Sequence, residues 1–261
     1  MELALIGVAA LLASGLTLFS GFGLGTILMP VFALFVPVPL AIAATAVVHG
    51  ADNLFKFGLM ARHASWQVVA RFGIPAAIAA ILGAASLTFF DWLPAAWHGE
   101  FLGMSVDATP VKVVVGVLII LFSLLEFSPR FQTKMIHRSR SLSLGGVLSG
   151  FFGGLSGHQG ALRAAFLVKA GLSKEGYIAT SAATAVVIDF TRIVVYGIAA
   201  GTGPFASVRD LVGPVVVGML CAFVGALTGK RLLHKVTLRT VQRIVAVFML
   251  AVGVGLVLGK L

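Results

Sequence analysis

The hexamer Ala43-Ala44-Thr45-Ala46-Val47-Val48 returns letter for letter as Ala182-Ala183-Thr184-Ala185-Val186-Val187. Each copy follows an apolar stretch that glycine interrupts. The first interruption reads Ser20-Gly21-Phe22-Gly23-Leu24-Gly25. The second reads Gly153-Gly154-Leu155-Ser156-Gly157-His158-Gln159-Gly160. The pairs Ser20-Gly21 and Ser156-Gly157 precede their hexamers by 23 and 26 residues. The same features in the same order predict a chain of two related halves.

Composition fixes the solvent of those halves. Of 261 residues, 59% are hydrophobic and 11% charged, and the mean hydropathy is +1.07. Soluble domains carry about 25% charged residues. So little charge cannot cover a globule of this size, and the excess apolar surface must face lipid. The net charge of +10 does not point to nucleic acid. Its Lys and Arg fall in short segments between apolar runs, where the positive-inside rule places them. Cys221 is the single cysteine and gives neither a disulfide nor a CxxC site. Met1-Glu2-Leu3 lacks the basic start of a signal peptide, so the first apolar run is read as part of the fold.

A spanning helix needs about 20 mostly apolar residues. Spans are expected at 38–59, 66–90, 110–127, 176–200, 208–229 and 241–259. The stretches 3–36 and 142–171 are apolar but broken, with arms short for a full crossing, so they read as hairpins, re-entrant or nearly so. Lys56, Arg62 and Arg71, the basic linker 128–141, Lys169 and Lys174, and the loop 230–240 with its flanking Arg243 are assigned to the cytoplasm, with the loop 60–66. That leaves Lys112, Arg209 and Lys260 outside, and Arg163 and Arg192 within the membrane. The segment 91–109 has Asp91, Glu100 and Asp107 but no Lys or Arg, and reads as an outer loop. Both hairpins then start and finish on one side, the first outside and the second inside. The expected fold is an all-α polytopic membrane protein of two inverted-topology repeats, 1–127 and 142–261. Each is a glycine-broken hairpin followed by three transmembrane helices, and both termini are outside.

A glycine break, a proline-containing apolar arm and a small-residue helix, repeated twice, resemble the TauE/SafE sulfite exporter family. The segments run from Ser14-Gly15 to Pro30 and from Ser149-Gly150 to Gly160. The resemblance covers nearly the whole chain. It implies a bacterial inner-membrane transporter of small sulfur-containing anions, in which the outside termini expected from the charge distribution are periplasmic. Two departures leave the particular anion open: Leu24 stands between Gly23 and Gly25, and His158-Gln159 stand where glycine-rich residues are common in the family.

The breaks themselves carry the first candidates. A half-helix N-terminus offers unpaired N–H donors and partial positive charge, and glycine lets an oxyanion approach the backbone. The second arms are expected to begin near Thr26 and Ala161. Candidate substrate-binding residues are therefore Ser20, Gly21, Gly23, Gly25 and Thr26 at the first break, and Ser156, Gly157, His158, Gln159 and Gly160 at the second. The same glycines also suit close helix packing, and the hydroxyls also suit caps. Arg163 follows in apolar surroundings, where its donor fork suits a sulfonate or sulfite, or a salt bridge to Asp52 or Asp189. His49, Asp52 or Asn53, and Lys56 share one helix face, and Asp189, Arg192 and Tyr196 share another. Arg192 joins the binding candidates. His49, Asp52, Asn53 and Asp189 are candidates for proton coupling or gating. Lys56 is read as reaching for the cytoplasmic interface.

The expected function is export of sulfite or an organosulfonate such as sulfoacetate by alternating access around the two breaks. Proton-coupled uptake of another small organic anion and an anion channel are the alternatives. An enzyme is disfavoured: Glu2, Glu100, Glu126 and Glu175 all lie near boundaries or in loops, and no HExxH, GxSxG or Asp cluster occurs. No cofactor or metal is expected. The expected partners are a small anion and the lipid bilayer, with a homodimer as an option and no nucleic acid.

Overall fold

The computed structural model describes residues 1–20, 23–94, 97–101, 104–127, 141–199, 211–232 and 238–261. In chain order its helices are α1 (Glu2–Ser20), α2 (Leu24–Ala33), α3 (Val38–Met60), α4 (Trp66–Trp92), α5 (Pro110–Phe127), α6 (Leu142–Ser156), α7 (Gly160–Leu167), α8 (Lys174–Ile198), α9 (Val212–Leu232) and α10 (Leu238–Val257). The chain is an all-α membrane protein in its architecture. One difference lies in 91–109, expected as a loop: β1 (Trp97–Phe101) and β2 (Met104–Ala108) pair antiparallel there, Trp97 opposite Ala108 and Phe101 opposite Met104. The basic linker lies outside the described residues, apart from Ser141.

Glycine sets where the hairpins break. Gly23 has φ +134° and begins α2; Gly157 has φ +80° and ends α6. Side chains rarely adopt these conformations, so at both points the helix stops without strain. The second arms start at Leu24 and Gly160, slightly earlier than Thr26 and Ala161. Serine hydroxyls cap two later starts, Ser141 accepting from Leu144 N and Ser173 from Gly176 N.

Helix packing is reciprocal between the halves. α1 lies along α9, and α6 along α4; α4 also meets α8, and α9 meets α3; α3 crosses α8, and α5 pairs with α10. Exchanging each helix for the one five places on maps these pairs onto themselves. Small residues allow the closest approaches. Gly146, Gly150 and Gly154 recur every four residues on α6 and face the carbonyls of Phe72, Ala76 and Ala80 on α4. Gly225 on α9 faces the Leu11 carbonyl on α1 in the same way. This is the small-residue packing that lets membrane helices gain dispersion contact without a hydrophobic drive.

The outside is apolar and the interior holds charge. On α4, Ile74, Ile78, Leu82 and Phe89 are exposed, and on α9 Val212, Val216, Leu220, Val224 and Leu227 form a similar stripe. Among the described residues, Val38–His63, Trp66–Trp92 and Lys174–Ile198 are long and apolar enough to cross a membrane. Phe32, Ile42, Met29 and Ile119 fill the larger core, and Phe72, Phe166 and Ile188 a smaller one. Between them, His49, Asp52, Lys56, Arg163, Asp189 and Arg192 are all buried. That arrangement inverts the usual soluble distribution and places the charges where lipid cannot reach them.

Candidate functional site

The centre of the molecule is the crossing of α3 and α8. Gly50 stands on α3 directly against Asp189 on α8: a Cβ on Gly50 would lie 3.1 Å from that of Asp189. The lack of a side chain at Gly50 makes room for the carboxylate. Asp189 is fully buried and saturated. Its Oδ1 accepts from Arg192 Nη2 at 2.7 Å, from Arg192 Nε at 3.0 Å and from Gln159 Nε2 at 2.7 Å; its Oδ2 lies 2.5 Å from His49 Nδ1. An ionised carboxylate only accepts, so Nδ1 of His49 carries a proton. Asn53 Nδ2 lies 3.3 Å from both ring nitrogens of His49 and donates to the His49 carbonyl at 2.8 Å.

One turn further along α3, Asp52 and Lys56 form a second buried pair at 2.6 Å. Ser14 of α1 donates to Asp52 Oδ1 at 2.6 Å. Lys56 Nζ donates to Asp52 Oδ2, to Thr17 Oγ1 at 2.7 Å and to the Ser14 carbonyl at 3.3 Å. Its three donors are therefore all engaged. Lys56 does not reach for the interface as expected: at 6% exposure it belongs to the interior and ties α3 to α1. It leaves the set of cytoplasmic loop charges for that reason.

Arg163 differs from every other buried charge. It is 1% exposed and enters from the first turn of α7. Its Nε donates to Ser181 Oγ at 3.0 Å and its Nη1 to Gln159 Oε1 at 3.2 Å. Both partners are neutral. Among the described residues Arg163 forms no ion pair: Asp52 is taken by Lys56, and Asp189 by Arg192 and His49. The salt bridge offered as its second role is absent. Arg163 instead borders a small cavity with Thr17, His49, Asp52, Asn53, Lys56, Ile178, Ser181 and Ala182.

The two breaks meet beside this cavity. A Cβ on Gly25 would lie 3.3 Å from the Gly157 carbonyl oxygen and 3.7 Å from the His49 ring. Ser149 of α6 donates to the Gln159 carbonyl at 2.9 Å and fixes the second break, while Arg192 Nη1 donates to the Gly153 carbonyl at 3.1 Å. Tyr196 donates its hydroxyl to the carbonyl of Gly154. The Tyr196 bond satisfies a carbonyl near the end of α6, which a membrane interior demands.

Residues 4–256 match the family model of the sulfite exporter TauE/SafE. The chain belongs to the TauE/SafE family. Comparison with curated proteins and with solved structures gives no match. In this TauE/SafE protein the expected site residues separate into distinct places. Arg163, His49, Asp52 and Asn53 border the cavity. Gln159 and Asp189 stand behind it, holding Arg163 and His49. Arg192 does not border it but braces Asp189 and the break. His158 and Ser156 turn away: the Nδ1 of His158 lies 2.9 Å from the Ser156 carbonyl, its ring stacks on Phe122 at 5.4 Å, and Ser156 donates back to the Phe152 carbonyl. Thr26 is buried in α2, Gly23 caps the start of that helix, and Gly160 begins α7. Ser20 ends α1, and Gly21 lies outside the described residues.

Ser14, Thr17 and Ser181 are the contacts that sequence reasoning missed. Ser14 did stand in the family-like segment. Ser181 immediately precedes the second hexamer, and that adjacency was the available signal for it.

Proposed function

We propose that this membrane transporter exports a small sulfur-containing anion, sulfite or an organosulfonate such as sulfoacetate, across a bacterial inner membrane. The anion binds in the cavity beside Arg163, and movement of one half against the other alternates access to it. One observation carries the reading: Arg163 is a buried guanidinium whose described partners are neutral, at the edge of a polar cavity. An Arg at bilayer depth costs about 2.5–3.5 kcal/mol on insertion scales, and an anion in the cavity offsets that cost. Its fork of donors fits the oxygens of a sulfonate or sulfite. The reciprocal helix pairing supports two inverted repeats, the arrangement in which such a site sits near the midplane. Export also runs downhill. With the interior negative, each negative charge leaving releases about 2.3 kcal/mol per 100 mV.

Proteoliposomes loaded with sulfite test the proposal. Wild-type protein releases sulfite, Arg163→Ala does not, and Arg163→Lys retains part of the flux. Flux through Arg163→Ala equal to wild type refutes the assignment. Proton-coupled uptake has one observation in its favour: the buried Asp189–His49 pair, 2.5 Å apart, reaches the cavity through His49. Flux that ignores an imposed proton gradient eliminates it.

A further inference from the structure

We infer that the cavity is matched to a singly charged anion, hydrogensulfite or a simple alkanesulfonate, in preference to a doubly charged one. The inference rests on the anion-transport reading above and narrows its substrate class.

The argument is a balance of buried charge. Asp52 and Lys56 cancel at 2.6 Å, and Asp189 and Arg192 cancel at 2.7 Å. His49 shares the Asp189 carboxylate with Arg192, its Nδ1 lying 2.5 Å from Oδ2. Arg163 remains as the described Lys or Arg of the cluster without an ion pair. A monoanion pairs with it one to one. A dianion leaves one negative charge unmatched where the effective dielectric is low and such charges are costly.

Among the described residues no second cation stands ready for the second charge. Lys56 has committed all three donors, to Asp52, Thr17 and the Ser14 carbonyl. Arg192 is paired with Asp189 and does not border the cavity. Sulfoacetate, with a carboxylate beside its sulfonate, therefore ranks below a plain sulfonate of similar size.

Calorimetric titration of the full-length protein in lipid nanodiscs tests this with methanesulfonate and sulfate. The two have similar tetrahedral heads and carry one and two charges at neutral pH. Methanesulfonate is expected to bind wild type tighter by at least about tenfold. Asp52→Asn keeps the shape of the side chain, removes one negative charge and frees Lys56, so its ratio shifts toward sulfate by about tenfold or more. Sulfate binding wild type as tightly as methanesulfonate overturns the inference and leaves the anion reading standing. An unchanged ratio in folded Asp52→Asn overturns it too. If Asp52→Asn does not fold, the wild-type ratio decides alone. Failure of wild type to bind methanesulfonate, sulfate and sulfite overturns the inference together with the anion reading.

Discussion

Gly150→Ala places a methyl group in the close seam between α4 and α6. The Cβ would collide with the Ala76 carbonyl oxygen, and the carbonyl carbon and Cα of Ala76 would lie 2.7 Å from it. Non-bonded carbons pack at about 3.5–4.0 Å, so α6 must retreat from α4 by roughly 1 Å. Gly146 and Gly154, one turn on either side, lose their backbone contacts in the same movement. Overpacking of this kind costs about 1–3 kcal/mol. The displacement also reaches the site, because Gly153 and Gly154 at the end of α6 accept from Arg192 and Tyr196. A shift of Gly153 by about 1 Å disturbs the 3.1 Å bond that it accepts from Arg192. Gly150→Ala should therefore melt earlier in detergent and transport more slowly. Gly197→Ala is the control, since nothing lies within 4 Å of a Cβ there, and alanine is the better helix former. Equal melting temperatures for Gly150→Ala and Gly197→Ala refute the tight seam.

Three further outcomes follow from the buried polar groups. Asp189→Asn strips Arg192 of its carboxylate and should cost about 3–5 kcal/mol; thermal melting equal to wild type contradicts that pairing. Lys56→Met leaves Asp52 charged and unpaired and should cost a similar amount, about 3–5 kcal/mol. The double variant Asp52→Asn/Lys56→Met should recover part of the loss, and additivity in a double-mutant cycle argues against the pair. Thr45→Val should be nearly neutral, because Thr45 Oγ1 is buried with no hydrogen-bond partner among the described residues; a loss above about 1 kcal/mol points to a partner for that hydroxyl.

Local signals carried the helical architecture. Apolar length marked the helices, and glycine clusters marked the breaks where Gly23 and Gly157 take positive φ. The polar face of α3 was visible too, because four residues on a regular helix share a face whatever surrounds it. What could not be read was the partner across the fold. Lys56 has the same sequence neighbours whether it reaches outward or turns inward. Ser14 and Thr17, from the first arm of the first hairpin, turn it inward. Arg163 stood between two roles for the same reason, and the choice depended on which cation each aspartate had already taken. The hairpin at 97–108 escaped notice because five-residue strands carry too little alternation to stand out. The opposite orientation of His158 reflects its stacking on Phe122, from a helix 36 positions away in sequence.

Gly50 and Asp189 occupy the same place relative to the two copies of the hexamer, and they touch. Two corresponding positions that meet at a crossing compete for one volume. A Cβ on Gly50 would lie 3.1 Å from that of Asp189, tight enough that one of the two would have to give way. Glycine opposite aspartate is thus the pairing that fits at this closeness, and the acid on α8 is answered by an imidazole from α3. The two hexamer-bearing helices differ in chemistry at equivalent positions, and that difference lets them meet.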